Sequence, residues 1–249
     1  MKYHIRLNKD LIRGAKTVIL PGDPGRVEKT SKTIDPNSKY LASNREYTSY
    51  LSYIEGNPIL TCSTGIGGPS LSICVEELAD LGVENFIRIG TTGAIQEDIK
   101  VPSMIITTGS VRLDGTSLHY APINYPAVAD FGLTNILVDS CRKLNLDYKT
   151  GITASSDTFY PGQERYDSFT KYVRREFQGS LKELQKLNVL NFEMESSALL
   201  TICSVFGLKG ASICSAIVNR TKTETPDDTV LELAEKNLAD VVSLSVRNI

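Results

Sequence analysis

Short apolar runs rich in Val, Ile and Thr recur along the chain, and between them apolar residues return at helical spacing. A continuous apolar run of about four to eight residues suits a strand covered on both faces, whereas a three-and-four spacing suits a helix with one face in the core. On this basis strands are predicted at Thr17 to Leu20, Glu46 to Ile54, Pro58 to Ser63, Asn85 to Ile89, Met104 to Thr108, Gly151 to Ala154, Val189 to Phe192, and Ala211 to Val218. Between Ser70 and Leu81 the positions Leu71, Cys74, Val75, Leu78 and Leu81 predict a helix that Gly82 stops. From Asp227 the series Val230, Leu233, Ala234, Leu238, Val241 and Val242 predicts a closing helix, started by Pro226-Asp227-Asp228, that packs on the sheet. This alternation predicts an α/β fold with a largely parallel or mixed sheet. With no internal repeat and no Pro/Ser-rich linker, residues 1–249 are expected to form one domain.

Composition narrows the class of partner. The 27 basic and 29 acidic residues leave a formal charge of -2, which speaks against a general polyanion binder and so against nucleic acid. No segment approaches the ~18 apolar residues of a membrane span, and Met1 to Gly14 does not have the pattern of a secretory leader. The expected compartment is therefore the cytoplasm, with no membrane partner. The five cysteines lack C-x-x-C spacing and mostly lie in apolar segments, so they are expected to be reduced core residues.

Four stretches that carry Gly or Arg follow directly after predicted strands: Pro21-Gly22-Asp23-Pro24-Gly25-Arg26, Thr64 to Ser70, Gly90-Thr91-Thr92-Gly93, and Val218-Asn219-Arg220-Thr221. In open α/β sheets ligands bind at the carboxyl ends of strands, so these loops are candidates for one cleft. The chain has no G-x-x-x-x-G-K-[ST] loop, and Gly65-Ile66-Gly67-Gly68-Pro69-Ser70 lacks the last Gly of G-x-G-x-x-G, which argues against a nucleoside triphosphate or dinucleotide cofactor. Two histidines, His4 and His119, and no zinc-type spacing point to metal-free chemistry. His119 reads as an ordinary loop or core histidine.

What remains suits an anion and a sugar. Backbone N–H groups on tight Gly turns and Arg forks grip phosphate, and Gly22, Arg26 and Arg88 supply that chemistry. Arg88 lies in the apolar run Asn85-Phe86-Ile87-Arg88-Ile89, where a charge is costly unless an anionic ligand or a structural carboxylate meets it. Taken alone, Gly22 and Arg26 read somewhat more readily as a turn followed by a solvated helix Arg. Glu193 and Glu195 of Asn191-Phe192-Glu193-Met194-Glu195-Ser196 stand at a strand-to-helix junction. There they either accept bonds from sugar hydroxyls or simply favour a helix N-terminus. Gln163-Glu164-Arg165 can read the edge of a heterocycle, although such pairs are commonly plain surface residues.

Five segments in this order, PGDPGR, STGIGGPS, RIGTTGAI, TASSDTFYPGQERY and NFEMES, closely resemble the uridine phosphorylases, a branch of nucleoside phosphorylase family I. The resemblance runs from about His4 to the C-terminal helix. It implies a single-domain fold whose mixed central sheet is partly rolled into a distorted barrel and flanked by helices, assembled as a homohexamer of three dimers. It implies phosphate held by Gly22, Arg26, Arg88 and Thr91, with Arg45 reaching in from the neighbouring subunit. Ribose would meet Thr91, Glu193, Met194 and Glu195, with His4 of the neighbour at the 5′-hydroxyl. Uracil would be read by Gln163 and Arg165, with Phe159 stacked nearby and Arg220 closing the site. Glu46, Ile66 and Ser70 match positions for a monovalent cation, potassium, at the dimer interface. One position departs from the pattern, since Tyr3 stands where Phe is expected.

The reaction so implied is phosphorolysis of uridine to uracil and ribose 1-phosphate, with inorganic phosphate as co-substrate, no organic cofactor, and Arg88, Glu195 and Arg165 as the catalytic groups. Phosphate is already anionic and needs no general base, so positioning and electrostatics suffice. The alternatives are a purine nucleoside phosphorylase and a nucleoside hydrolase of the same superfamily. A purine enzyme would place an acid near the base, whereas Ala216 to Arg220 has none, and a hydrolase would have no use for three buried guanidinium groups. A non-catalytic nucleoside sensor would not need the whole phosphate clamp.

Overall fold

Every apolar run predicted as a strand lies in one mixed sheet in the computed structural model, which describes residues 1–249. In chain order the strands are β1 (Thr17–Pro21), β2 (Lys39–Asn44), β3 (Tyr47–Ile54), β4 (Asn57–Cys62), β5 (Asn85–Ala94), β6 (Met104–Leu113), β7 (Ala127–Val128), β8 (Tyr148–Ser156), β9 (Val189–Glu193) and β10 (Lys209–Asn219). The helices are α1 (Lys9–Ile12), α2 (Val27–Ile34), α3 (Gly68–Leu81), α4 (Phe131–Lys143), α5 (Ser180–Lys186), α6 (Ser196–Phe206) and α7 (Asp228–Ser245). None is long and apolar enough to cross a membrane.

Five strands close on themselves. β5 pairs with β10 in parallel, β10 with β6 antiparallel, β6 with β8 and β8 with β9 in parallel, and β9 returns antiparallel to β5. From β5 the sheet continues outward through β1, β4, β3 and β2. The single α/β domain is thus a closed five-stranded barrel with a sheet extension, and β5 belongs to both.

Alternate positions of the central strands face two helical layers, which sorts the apolar residues into two cores. Val18, Leu20 and Phe86 pack with Leu71, Cys74 and Leu78 of α3 and Leu199 and Ile202 of α6. Ile19, Ile87 and Ile89 face the opposite way, toward Leu133 and Leu137 of α4 and Leu238 and Val242 of α7. Arg88 has the parity of Phe86, so β5 aims it toward the α3/α6 layer, where the start of α6 meets it. All five cysteines are buried and none forms a disulfide, and the Cys74 thiol donates to Cys62 Sγ at 3.8 Å.

Several elements were not predicted. β2 is an edge strand with partly or fully exposed residues throughout, and it shows no alternation. The stretch Gly90-Thr91-Thr92-Gly93 was predicted as a loop after a strand, yet β5 runs through it to Ala94. Glycine has low strand propensity, but here pairing with β10 and β9 on both sides holds the segment extended. Arg88 Nη2 would lie 2.8 Å from a Cβ on Gly90, and Arg220 Cδ 3.1 Å from one on Gly93, so the glycines make room for two guanidinium side chains.

Candidate active site

A cavity of 680 Å³ opens where the carboxyl ends of β1, β4, β5, β9 and β10 and the loop after β8 converge. Each Gly- or Arg-bearing segment singled out in the sequence contributes to this wall. The geometry is that of a ligand cleft at strand ends.

Arg88, 5% exposed, lines the cavity. Its Nε donates to Glu193 Oε2 at 2.9 Å, and its Nη2 lies 2.5 Å from Glu195 Oε2. Burial works to lower its pKa, but the carboxylates of Glu195 and Glu193 overcome this and hold the guanidinium charged. The sequence left two partners open for Arg88, and the structural carboxylate is present. Its Nη1 lies near Gly22, 4.0 Å from where a Cβ would stand, on the cavity side.

The two glutamates differ. Glu193 accepts from Arg88, from the backbone N–H of Glu195 at 2.9 Å and Ser196 at 2.9 Å, and from the Ser155 hydroxyl. It is saturated. Glu195 stands at the N-cap position of α6 and accepts from Gly67 N–H at 2.5 Å, at the start of α3. Burial raises its pKa above the ordinary value, against the lowering pull of Arg88, and the charge of Glu193 adds to the rise. The helix-terminus reading of the acids therefore holds together with their position in the cavity.

Gly22, Arg26 and Thr91 border the same space. Arg26, at the start of α2, pairs with Glu235 of α7 at 2.8 Å and is about one fifth exposed, so it is not deeply buried. Gly65 has φ +71, and a Cβ there would meet Glu46 Cγ at 2.8 Å and Ser70 Oγ at 3.2 Å. Its absence lets the Glu46 side chain and the Ser70 hydroxyl approach one turn, with Ser70 Oγ donating to the Ile66 carbonyl at 3.1 Å. Ile66 itself is exposed.

Gln163, 2% exposed, makes no side-chain hydrogen bond and lines the cavity. Arg165 lies 4.1 Å over the Phe159 ring and Arg220 5.5 Å over that of Phe192. Arg220 does not reach the cavity surface. Both guanidinium groups pair with Glu224, Arg220 Nε at 2.7 Å. Even so, Arg165 Nε and Arg220 Nη1 are buried without a partner. Burial, with the charge of Arg220, lowers the Arg165 pKa. Glu224 escaped the sequence reading, although it stands four residues after Arg220, the spacing of a local ion pair. Ser155, which also escaped it, carries no sequence signal of its role.

His4 and Arg45 do not line this cavity. They lie together elsewhere: Asn44 Nδ2 donates to the His4 carbonyl at 2.7 Å, and Arg45 follows Asn44 at φ +53, exposed. Of the three arginines expected to be buried for phosphate, only Arg88 is buried within one chain. An exposed hairpin turn places Arg45 in solvent, and the Glu235 pair leaves Arg26 at the rim.

The sequence profile of the Phosphorylase superfamily matches residues 16–247. A Haemophilus influenzae protein described as uridine phosphorylase is 52% identical over 240 residues, covering 96% of this chain and 95% of the relative. Proteins of the same description from Klebsiella aerogenes and Escherichia coli are 50% and 49% identical over 247 residues, 99% of this chain and 97% of each relative. Because the match runs through every strand that lines the cavity, from β1 to β10, the chain belongs to the phosphorylase superfamily.

Proposed function

We propose that this chain catalyses the reversible phosphorolysis of uridine to uracil and α-D-ribose 1-phosphate, a step of pyrimidine nucleoside salvage. The observation that carries the reading is the charge layout of one cavity. A buried Arg88 is braced by Glu193 and Glu195, and Gln163 and Arg165 line the same space with unused donors and acceptors. The printed descriptions of relatives at about half identity support it.

In this reading phosphate lies on Gly22, Arg26, Arg88 and Thr91. Ribose lies against Thr91, Glu193, Met194 and Glu195. Uracil lies between Phe159, Gln163 and Arg165, with Arg220 behind. A phosphate oxygen donates its electron pair to the anomeric carbon from the face opposite uracil, the glycosidic C–N bond breaks, and its electron pair leaves on the uracil nitrogen. Inversion follows. Positive charge grows on ribose next to Glu195 and negative charge on uracil next to the free Arg165 N–H, so both groups stabilise the transition state more than the ground state. The electrostatic component belongs to Arg88, Glu195 and Arg165.

The absence of His4 and Arg45 from their own cavity supports a dimeric unit in which each chain completes the site of its partner, within a homohexamer of three such pairs. Glu46, Ile66 and Ser70 present carboxylate, carbonyl and hydroxyl oxygens at one turn, a hard-oxygen set that fits a monovalent cation such as K⁺. Such an ion would neutralise Glu46 and stiffen the turn. The proposed compartment is the cytoplasm, where five unpaired thiols stay reduced.

Absorbance assays of uracil release test the function. Uridine is expected to be consumed only with phosphate, and cytidine about 10⁴-fold more slowly, since its amino group faces donors and leaves buried groups unpaired. Cleavage without phosphate would mean a hydrolase, and faster turnover of inosine than uridine a purine enzyme.

A further inference from the structure

The Glu77 carboxylate of α3 is spent entirely on the segment that carries His4. Glu77 Oε1 lies 2.8 Å from His4 Nδ1, both oxygens accept from the His4 backbone N–H at 3.1 Å, and Oε2 accepts from Ile5 N–H at 2.9 Å. These bonds hold the Glu77 carboxyl below its ordinary value despite partial burial. On the other side, Asn44 holds the His4 carbonyl. The His4 backbone is therefore held from two elements and its imidazole by Glu77, while Nε2 has no partner in the chain and the side chain stays 31% exposed.

We propose that Glu77 is a positioning residue that orients His4 and fixes the proton on its Nδ1, so that Nε2 meets the 5′-hydroxyl of a nucleoside in the partner's site. An ionised carboxylate can only accept, so the nitrogen facing it must carry the hydrogen. A ring free of this bond would mostly carry the hydrogen on Nε2 and could rotate. The same helix has Gly67 as its N-cap, whose N–H holds Glu195 of the chain's own site. One helix thus braces a residue of each site. The proposal rests on the reading that places His4 at the ribose of the neighbour.

The test compares uridine with 5′-deoxyuridine, which lacks only the group that His4 would touch. Glu77→Gln keeps the shape, but with its amide oxygen held by the Ile5 N–H it turns an N–H donor toward His4 Nδ1, which must then accept. It is expected to lower kcat/KM for uridine about tenfold and to leave 5′-deoxyuridine nearly unchanged, as expected for one lost neutral hydrogen bond. His4→Ala should show the same selective loss, and the double variant no more than either single one. Glu77→Asp, which keeps the charge, should fall between Gln and the native enzyme. With only two histidines in the chain, ¹⁵N spectra near pH 8 resolve His4 directly. Nδ1 is expected to carry the proton in the native enzyme and Nε2 in Glu77→Gln. An equal loss on both nucleosides in Glu77→Gln and Glu77→Asp, or an unchanged tautomer, overturns the positioning role while the His4 reading stands. If His4→Ala keeps the full preference for uridine, the His4 reading itself falls and the proposal with it.

Discussion

Arg88 combines two roles that its sequence context leaves as alternatives, since it neutralises two buried carboxylates and also faces the cavity. Removing it should therefore cost both activity and stability. Arg88→Ala is expected to lose most phosphorolysis, with the barrier raised by about 3 kcal/mol from lost electrostatics. Stability should fall by roughly 3 to 5 kcal/mol, because Glu193 and Glu195 lose their buried counter-charge. The pH dependence has a definite sign. The folded pKa of Glu195 is raised, so its contribution to stability is full below its unfolded value and is lost as pH climbs through the raised one. Without Arg88, the group that lowers that pKa, the loss extends further upward. The gap in Tm between variant and native protein should widen from about pH 5 to about pH 8. A gap that narrows would show that the carboxylates do not depend on Arg88.

β5 is the element on which the site turns. It carries Arg88, shares the barrel and the extension, and runs through glycines that look like a loop in sequence. Apolar runs such as Asn85 to Ile89 were legible because burial on both faces leaves a local mark. The extension to Ala94 was not, because pairing with β10 and β9 decides it. α4 left a legible mark at Leu133, Leu137 and Cys141 that was not taken up. The site residues were legible mainly through motif resemblance. Glu77 and Ser155 were not, because their roles come from contacts 73 and 38 residues away, and Glu224 left only its four-residue spacing from Arg220, its contact with Arg165 spanning 59 residues. Gly90 tests the element. Its φ is not positive, so alanine brings no backbone strain, but its Cβ would meet Arg88 Nη2 at 2.8 Å. Held by two ion pairs, the guanidinium cannot retreat freely. Gly90→Ala should fold, with the KM for phosphate raised about tenfold or more and the KM for uridine less affected. Equal changes in both would place the disturbance elsewhere.

At the scale of the whole molecule, the proposal that each chain completes the site of its partner carries its own test, since His4 and Arg45 stand away from their own cavity. Arg45→Ala and Glu195→Ala should each be nearly inactive. Refolded together in equal amounts, random pairing makes half the dimers mixed, and in each mixed dimer one site has an intact Glu195 and borrows an intact Arg45. Roughly one quarter of native activity should return. No recovery despite verified mixed assembly would put Arg45 at work within its own chain. The central claim, that a phosphate oxygen replaces uracil on ribose with inversion, is tested most directly by phosphorus NMR of the reaction with uridine. The account requires a single new resonance of α-ribose 1-phosphate that grows in step with uracil and vanishes when phosphate is left out. Free ribose as the product, or the β anomer, would contradict it.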